Sequence, residues 1–166
     1  RRYPCEPMGR DAGAMGLTKF RPSSTASYAV DFDGDNHINL FASPQDAIGS
    51  VANYFIANGW KTGMAPIYPV EFDPARLDMA TLMAPDIRPT FTVAEMASHG
   101  ALVQGRGAQH VGPLALIELQ NGGDTPSYVA GTENFYAITR YNWSSYYAMA
   151  VIELGREVAA ARAAKR

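Results

Sequence analysis

The chain has one cysteine, Cys5, so it holds no internal disulfide. That fits a reducing compartment without excluding an exported protein. With no activating pattern around it, Cys5 reads as inert. Charge of one sign is also scarce. The formal net charge is −2, which argues against a polyanion-binding surface and against nucleic acid as a partner. No apolar run is long enough to span a bilayer, and the longest soft stretch, YYAMAVIELG, is interrupted by Glu153. An initiator Met, a signal peptide and a lipidation pattern are missing, so the chain reads as part of a longer protein. No internal repeat is present. What is there suffices for a core: 166 residues, 47% hydrophobic and 18% charged, fit one ordinary domain or a core with a small insert.

Residues 1–30 are rich in Gly, Pro and Ser and hold one small-residue stretch, DAGAMGL, which permits close backbone approach or a helix start facing a ligand. SPQDAIGSVANYFIANGW reads as a helix. Ser43 is its expected N-cap, Pro44 suits the first helical position and Asp46 the first turn. Ile48, Val51, Ala52 and Phe55 recur at helical spacing, and Asn58-Gly59 ends the run. From residue 61 the pattern changes. IYPVEF, ALVQ, LALIEL and SYVAG read as short strands of an antiparallel sheet. TVAEMASHG among them reads as a short helix, with Thr92 and Glu95 as a capping box and Gly100 as terminator. TENFYAITRYN and the long Ala-rich segment from SSYYAMAV onward return to helix, the latter with a basic end that suits its dipole.

The stretch DFDGDNHINL places Asp31, Asp33 and Asp35 at alternate positions. An EF-hand loop takes oxygen ligands from positions 1, 3 and 5, a backbone carbonyl from 7 and a bidentate carboxylate from 12. Counted from Asp31, the first three match and His37 supplies the carbonyl rather than its imidazole. Ile38 is the expected apolar anchor. Asn36 stands where glycine is usual and tolerates the left-handed conformation. Position 12 is Ala42, so the loop is longer than standard, with Asp46 expected to close the coordination sphere. Crowded carboxylates repel one another, and a hard divalent ion removes that cost. Calcium is expected and magnesium less so, because magnesium demands a rigid octahedron. Zinc is disfavoured: one histidine lies nearby, and Cys5 has no partner at a ligand spacing. The plainer alternative is a solvated Asp-rich turn.

Several segments then occur in a fixed order: AGAMG, FRPSS, YAVDFDGDNHINL, SPQDAIGSVANYF and, near the C-terminus, NFYAITRYNWSSYYAMAV. In this order they resemble the membrane-bound lytic murein transglycosylase B family. The resemblance covers residues 12–60 and 131–160 well and the middle in general character. It implies an α+β fold: a lysozyme-like, mainly helical core with an EF-hand-type structural calcium site, a small inserted antiparallel β domain and a C-terminal helix. The expected organisation is 1–63 for the core part with the calcium loop, 64–131 for the β domain and 132–166 for the return to the core and the C-terminal helix.

The implied activity is cleavage of the glycosidic bond between N-acetylmuramic acid and N-acetylglucosamine in peptidoglycan, forming 1,6-anhydromuramoyl ends. One glutamate serves as acid and then base, unlike the two-carboxylate pattern of most glycosidases. Tyr141 and Asn142 match groove residues near the reaction centre, Tyr147 matches a second groove tyrosine, and Met15 and Gly16 belong to the stretch lining the groove. The catalytic glutamate is expected upstream, outside this chain; Glu6 lies too close to be its equivalent. The implied setting is the periplasm, as a soluble or outer-membrane-anchored protein, with peptidoglycan strands as partner and a monomer as the expected state.

Arg10, Lys19 and Arg21 stand where the family has Ser, Gln and Met, and cations there would lower a nearby glutamate's pKa. They favour the alternative of a catalytically inactive, lysozyme-like glycan-binding or scaffold module. Plainer roles are expected elsewhere. Tyr146 reads as a core aromatic, and Trp143 equally as a stacking platform or as a buried ring or partly exposed wall. His99 and His110 lack a partner at a telling spacing, and Glu118 reads as solvent-facing on a strand.

Overall fold

The computed structural model describes residues 13–165. Cys5, Glu6 and Arg10, singled out above, lie outside them. The chain forms two compact units, one ending at Asn58 and the other beginning at Gly59.

The first unit holds helices α1, Pro22–Tyr28, and α2, Pro44–Ala57. Pro at the first helical position starts each. On α2, the Ser43 hydroxyl accepts the Asp46 N–H at 3.2 Å, as the N-cap pattern predicts. The helix buries a different face from the expected apolar stripe. Ile48 is 69% exposed, whereas Asp46, Ala47, Gly49 and Ser50 are buried. Asp46, Gly49, Ser50 and Asn53 share one face, at i, i+3, i+4 and i+7. Against this polar face the chain from Tyr28 to Phe32 is pinned at every second residue. The Asn53 amide donates to the Tyr28 carbonyl at 3.0 Å, Val30 N–H donates to Ser50 Oγ at 3.0 Å, and Phe32 N–H donates to Asp46 Oδ1 at 2.8 Å. Between them Gly49 gives room to Phe32: a Cβ there would lie 2.6 Å from the Phe32 Cβ and closer still to its ring. Ile48 and Val51, with Leu17, Thr18, Pro44 and Ala47, line an open cleft of about 320 Å³.

The second unit holds a four-stranded antiparallel sheet of β1 (Ile67–Phe72), β2 (Ala101–Val103), β3 (Ala115–Asn121) and β4 (Asp124–Gly131), in the order β2-β1-β4-β3. The four apolar runs read from the sequence are these strands. Two short helices, α3 (Met79–Met83) and α4 (Val93–Ser98), lie between β1 and β2. The capping box of α4 is present: Thr92 Oγ1 accepts the Glu95 N–H, and Glu95 Oε2 accepts the Thr92 N–H at 2.7 Å. Leu82, Met96, Val103, Leu114, Leu116 and Ala130 form one buried cluster. Helices α5 (Glu133–Tyr141) and α6 (Ser145–Ala164) complete the unit, capped by Thr132 and Ser144. Ile117 and Phe135 both close around Gly131, which has no room for a Cβ.

Asn134, wholly buried on α5, was not legible from the sequence. Its carbonyl accepts the Lys61 N–H at 2.7 Å, and its amide donates to the Lys61 and Met64 carbonyls at 2.8 and 2.9 Å. A buried amide with its donors and acceptor engaged ties residues 61–64 to the helix. Beside it Lys61 pairs with Glu133 at 2.6 Å. Tyr146 departs from its expected core role. It is 54% exposed, and its hydroxyl accepts the Gln120 N–H at 2.7 Å, hooking α6 to the end of β3. Glu118 accepts the Tyr128 hydroxyl at 2.8 Å, which raises the phenol's pKa.

Candidate functional site: an acidic loop and a pair of tyrosines

The loop between α1 and α2 folds around its own carboxylates. Asp31 accepts N–H bonds from Gly34 at 2.7 Å and Asn36 at 2.8 Å. Asp35 accepts the His37 N–H at 2.7 Å, and Asp33 accepts the Ser43 hydroxyl at 2.9 Å. Asn36 has φ 68°, the left-handed conformation expected of it. One oxygen from each of Asp31, Asp33 and Asp35 lies within 4.8 Å of the others. Three hard oxygen donors so close, two of them on exposed residues, make a cluster that could hold a metal ion.

Asp46 is not one of the three whose oxygens gather within 4.8 Å. Its side chain is buried, and each oxygen faces a backbone donor: Phe32 N–H on Oδ1 and Asn39 N–H on Oδ2, both at 2.8 Å. The Asn39 and Phe32 bonds hold its carboxyl below the usual aspartate value, against the opposing effect of burial. In this geometry Asp46 joins the two ends of the loop. The expected anchor Ile38 is 46% exposed, and Leu40 is the buried residue instead. The Leu40 carbonyl accepts the Leu17 N–H at 2.8 Å, and a Cβ on Gly16 would lie 2.7 Å from that oxygen. Gly16, at φ 69°, is thus confined by the loop's exit. Met15 pairs with Phe20 through N–H···O at 2.9 Å, and both Met15 and Gly16 are half-buried. Lys19 and Arg21 are exposed.

In the second unit Tyr141 and Tyr147 come together. Their rings are parallel within 4° with centroids 6.1 Å apart. Tyr141 ends α5 and Tyr147 lies in the first turn of α6, so the short connection between the helices sets the pair. Burial pushes the Tyr147 phenol up, keeping it a neutral hydroxyl that donates and accepts. Asn142 is exposed beside them. Such rings present apolar faces with polar tips, the surface a sugar needs.

The histidines have partners that sequence spacing did not show. His99 lies 3.7 Å from Asp78, and His110 Nδ1 lies 3.3 Å from the Tyr68 hydroxyl. The His110 Nε2 is buried without a hydrogen bond, and burial lowers its pKa. Among the described residues, the carboxyl groups with a clear shift are Asp46, Asp73, Asp78 and Glu95, and all four are lowered. None of these four is poised as a proton donor near neutral pH.

The family model described as "Transglycosylase SLT domain" matches residues 3–156. Membrane-bound lytic murein transglycosylase B of Escherichia coli (strain K12) is 44% identical over 158 residues, which is 93% of this chain and 40% of that protein. The structure of the Escherichia coli lytic transglycosylase Slt35 in complex with bulgecin A matches with TM-score 0.78 and 42% identity, over 93% of this chain and 46% of that one. Slt35 in complex with calcium matches with TM-score 0.76 and 42% identity, over 93% and 47%. The expected α+β, lysozyme-like fold is therefore the observed one. The chain spans less than half the length of these relatives. With the family model covering most of its residues, the chain belongs to the transglycosylase SLT domain family.

Proposed function

We propose that this chain is the C-terminal part of a lytic murein transglycosylase. The carrying observation is the 44% identity to a murein transglycosylase over 93% of the chain. In the proposed reaction a carboxylic acid protonates the leaving glycosidic oxygen as the C1–O bond breaks. The muramoyl 6-hydroxyl then attacks C1 and returns its proton to the same carboxylate, so no water is consumed. That acid is assigned to a glutamate preceding these residues; the lowered carboxyls found here are unsuited to the task. Tyr141, Asn142 and Tyr147 of the second unit act as groove residues, with the two rings against sugar faces; in the first unit, Met15 and Gly16 are assigned a substrate-contacting role of their own. The setting is the periplasm, where murein lies. No described helix is long and apolar enough to cross a membrane.

The acidic loop fits calcium by its donor set. Asp31, Asp33 and Asp35 would hold the ion with the His37 carbonyl, and Asp46 would add the lone pairs that its two N–H bonds leave free. The ion would supply structural charge compensation alone. Digestion of purified sacculi by the complete protein tests the activity: 1,6-anhydromuramoyl products are expected, and ordinary reducing ends would sink the assignment. The rival reading, an inactive glycan-binding module, is favoured by the exposed Lys19 and Arg21 and predicts binding to sacculi with no product at all.

A further inference from the structure

The corner between α5 and α6 carries an aromatic surface that the reading above does not use. Ser144 N–H donates to the Asn142 carbonyl at 2.7 Å, an i to i+2 bond that makes a γ-turn with Trp143 at its apex. Ser144 is itself fixed, its hydroxyl accepting the Tyr147 N–H at 3.2 Å as the α6 cap. The turn displays the indole: Trp143 is 50% exposed, and large rings are on average well buried. The ring is nevertheless held. It stands nearly perpendicular to Tyr136, at 83° with centroids 6.1 Å apart. Arg140, one turn along α5 from Tyr136, lays its guanidinium 5.7 Å from the Tyr136 centroid. A cation thus covers one face of Tyr136, and Trp143 is the exposed ring of the group. Its surroundings are polar, with Arg140 and Asn142 both exposed. A fixed, half-exposed indole in a polar rim suits a ligand with one apolar face and many hydroxyls better than it suits the apolar centre of a protein interface.

We propose that Trp143 is a saccharide platform that extends the Tyr141–Tyr147 groove by one sugar ring of a murein glycan strand. The inference rests on the murein reading above. It also draws on continuity: Trp143 follows Tyr141 and Asn142 directly in the chain.

The test is calorimetric titration of the complete protein with murein glycan fragments of increasing length, for the wild type, Trp143→Ala and Trp143→Phe. The alanine variant is expected to bind short fragments as the wild type does. It should lose roughly tenfold in affinity once fragments are long enough to reach the corner, while the phenylalanine variant keeps most of that gain. Equal affinities at every length would overturn the proposal. So would a uniform loss at every length, which would place Trp143 in the groove itself or in the fold. A change in oligomeric state with the length dependence intact would mean that a protein surface covers Trp143, and would overturn it as well. Wild-type protein that binds no fragment of any length would instead defeat the murein reading, a result distinct from a flat response in the variant alone.

Discussion

Replacing glycine by alanine inside a helix ordinarily stabilises it by about 1 kcal/mol. Two helical glycines here should respond with opposite sign. Gly155, on α6, has open space where a Cβ would go, so Gly155→Ala should gain that full amount. Gly49, on α2, would place its Cβ 2.6 Å from the Phe32 Cβ. The Phe32 ring is 66% exposed and free to swing, but its Cβ is fixed to the backbone. Relief therefore requires moving the main chain at Phe32, whose N–H holds Asp46 at 2.8 Å. Overpacking of this kind costs about 1–3 kcal/mol, and weakening a bond to a carboxylate adds to it. Set against the helical gain, Gly49→Ala should lose about 1–2 kcal/mol. For a chain of this size 1 kcal/mol is about 2–4 °C in Tm, so Gly155→Ala should rise by about 2–4 °C and Gly49→Ala should fall by about 2–8 °C. Thermal melts followed by circular dichroism read both. The double variant Phe32→Gly with Gly49→Ala removes the conflicting Cβ and should be more stable than the sum of its single effects. A Gly49→Ala protein as stable as the wild type, or strictly additive effects in the double variant, would refute the argument.

The acidic loop and its latch make two further predictions. Calcium at about 100 times its Kd should stabilise the fold by about 2.7 kcal/mol, so full chelation should lower Tm by about 5–10 °C and added calcium restore it. A Tm unmoved by chelation would count against the site. Asp46 has a depressed pKa in the folded state, so its contribution is fully present above its ordinary value of 3.8 and is lost as pH falls through the lower folded value. Asp46→Asn should therefore melt several degrees below the wild type at pH 7, because its amide turns a donor toward a backbone N–H. That gap should narrow only below about pH 3.8, and a gap that closes between pH 5 and 7 would show that another group controls it.

Features with short-range causes were legible in the sequence. Ser43 and the Thr92–Glu95 box are set by residues three apart, and the strands by short apolar runs punctuated by Pro and Gly. Helices α1 and α3 were not read. One buries no residue and the other has five residues, so neither leaves a periodic trace. On α2 the apolar stripe through Ile48 and Val51 drew the reading, and the buried face proved to be the polar one through Asp46, Ser50 and Asn53. The same i, i+3, i+4, i+7 spacing was there in polar residues, paired with an extended segment before the loop. The three aspartates were legible because the loop's own geometry gathers them. Asp46 in its present place was not, because its partners are amides of Phe32 and Asn39, and amides carry no sequence signal. Asn134 was hidden by distance, its partners lying 70 and 73 positions away.

The Asp46 carboxylate, gripping Phe32 and Asn39 at once, turns the stretch between them into a closed ring. A free chain of that length loses entropy when its ends are brought together, and the loss grows with the logarithm of its length. Here that loss belongs to folding rather than to ligand capture. An ion held as proposed at Asp31, Asp33 and Asp35 would meet a loop whose segment from Phe32 to Asn39 is already drawn shut, and would have less chain motion left to quench.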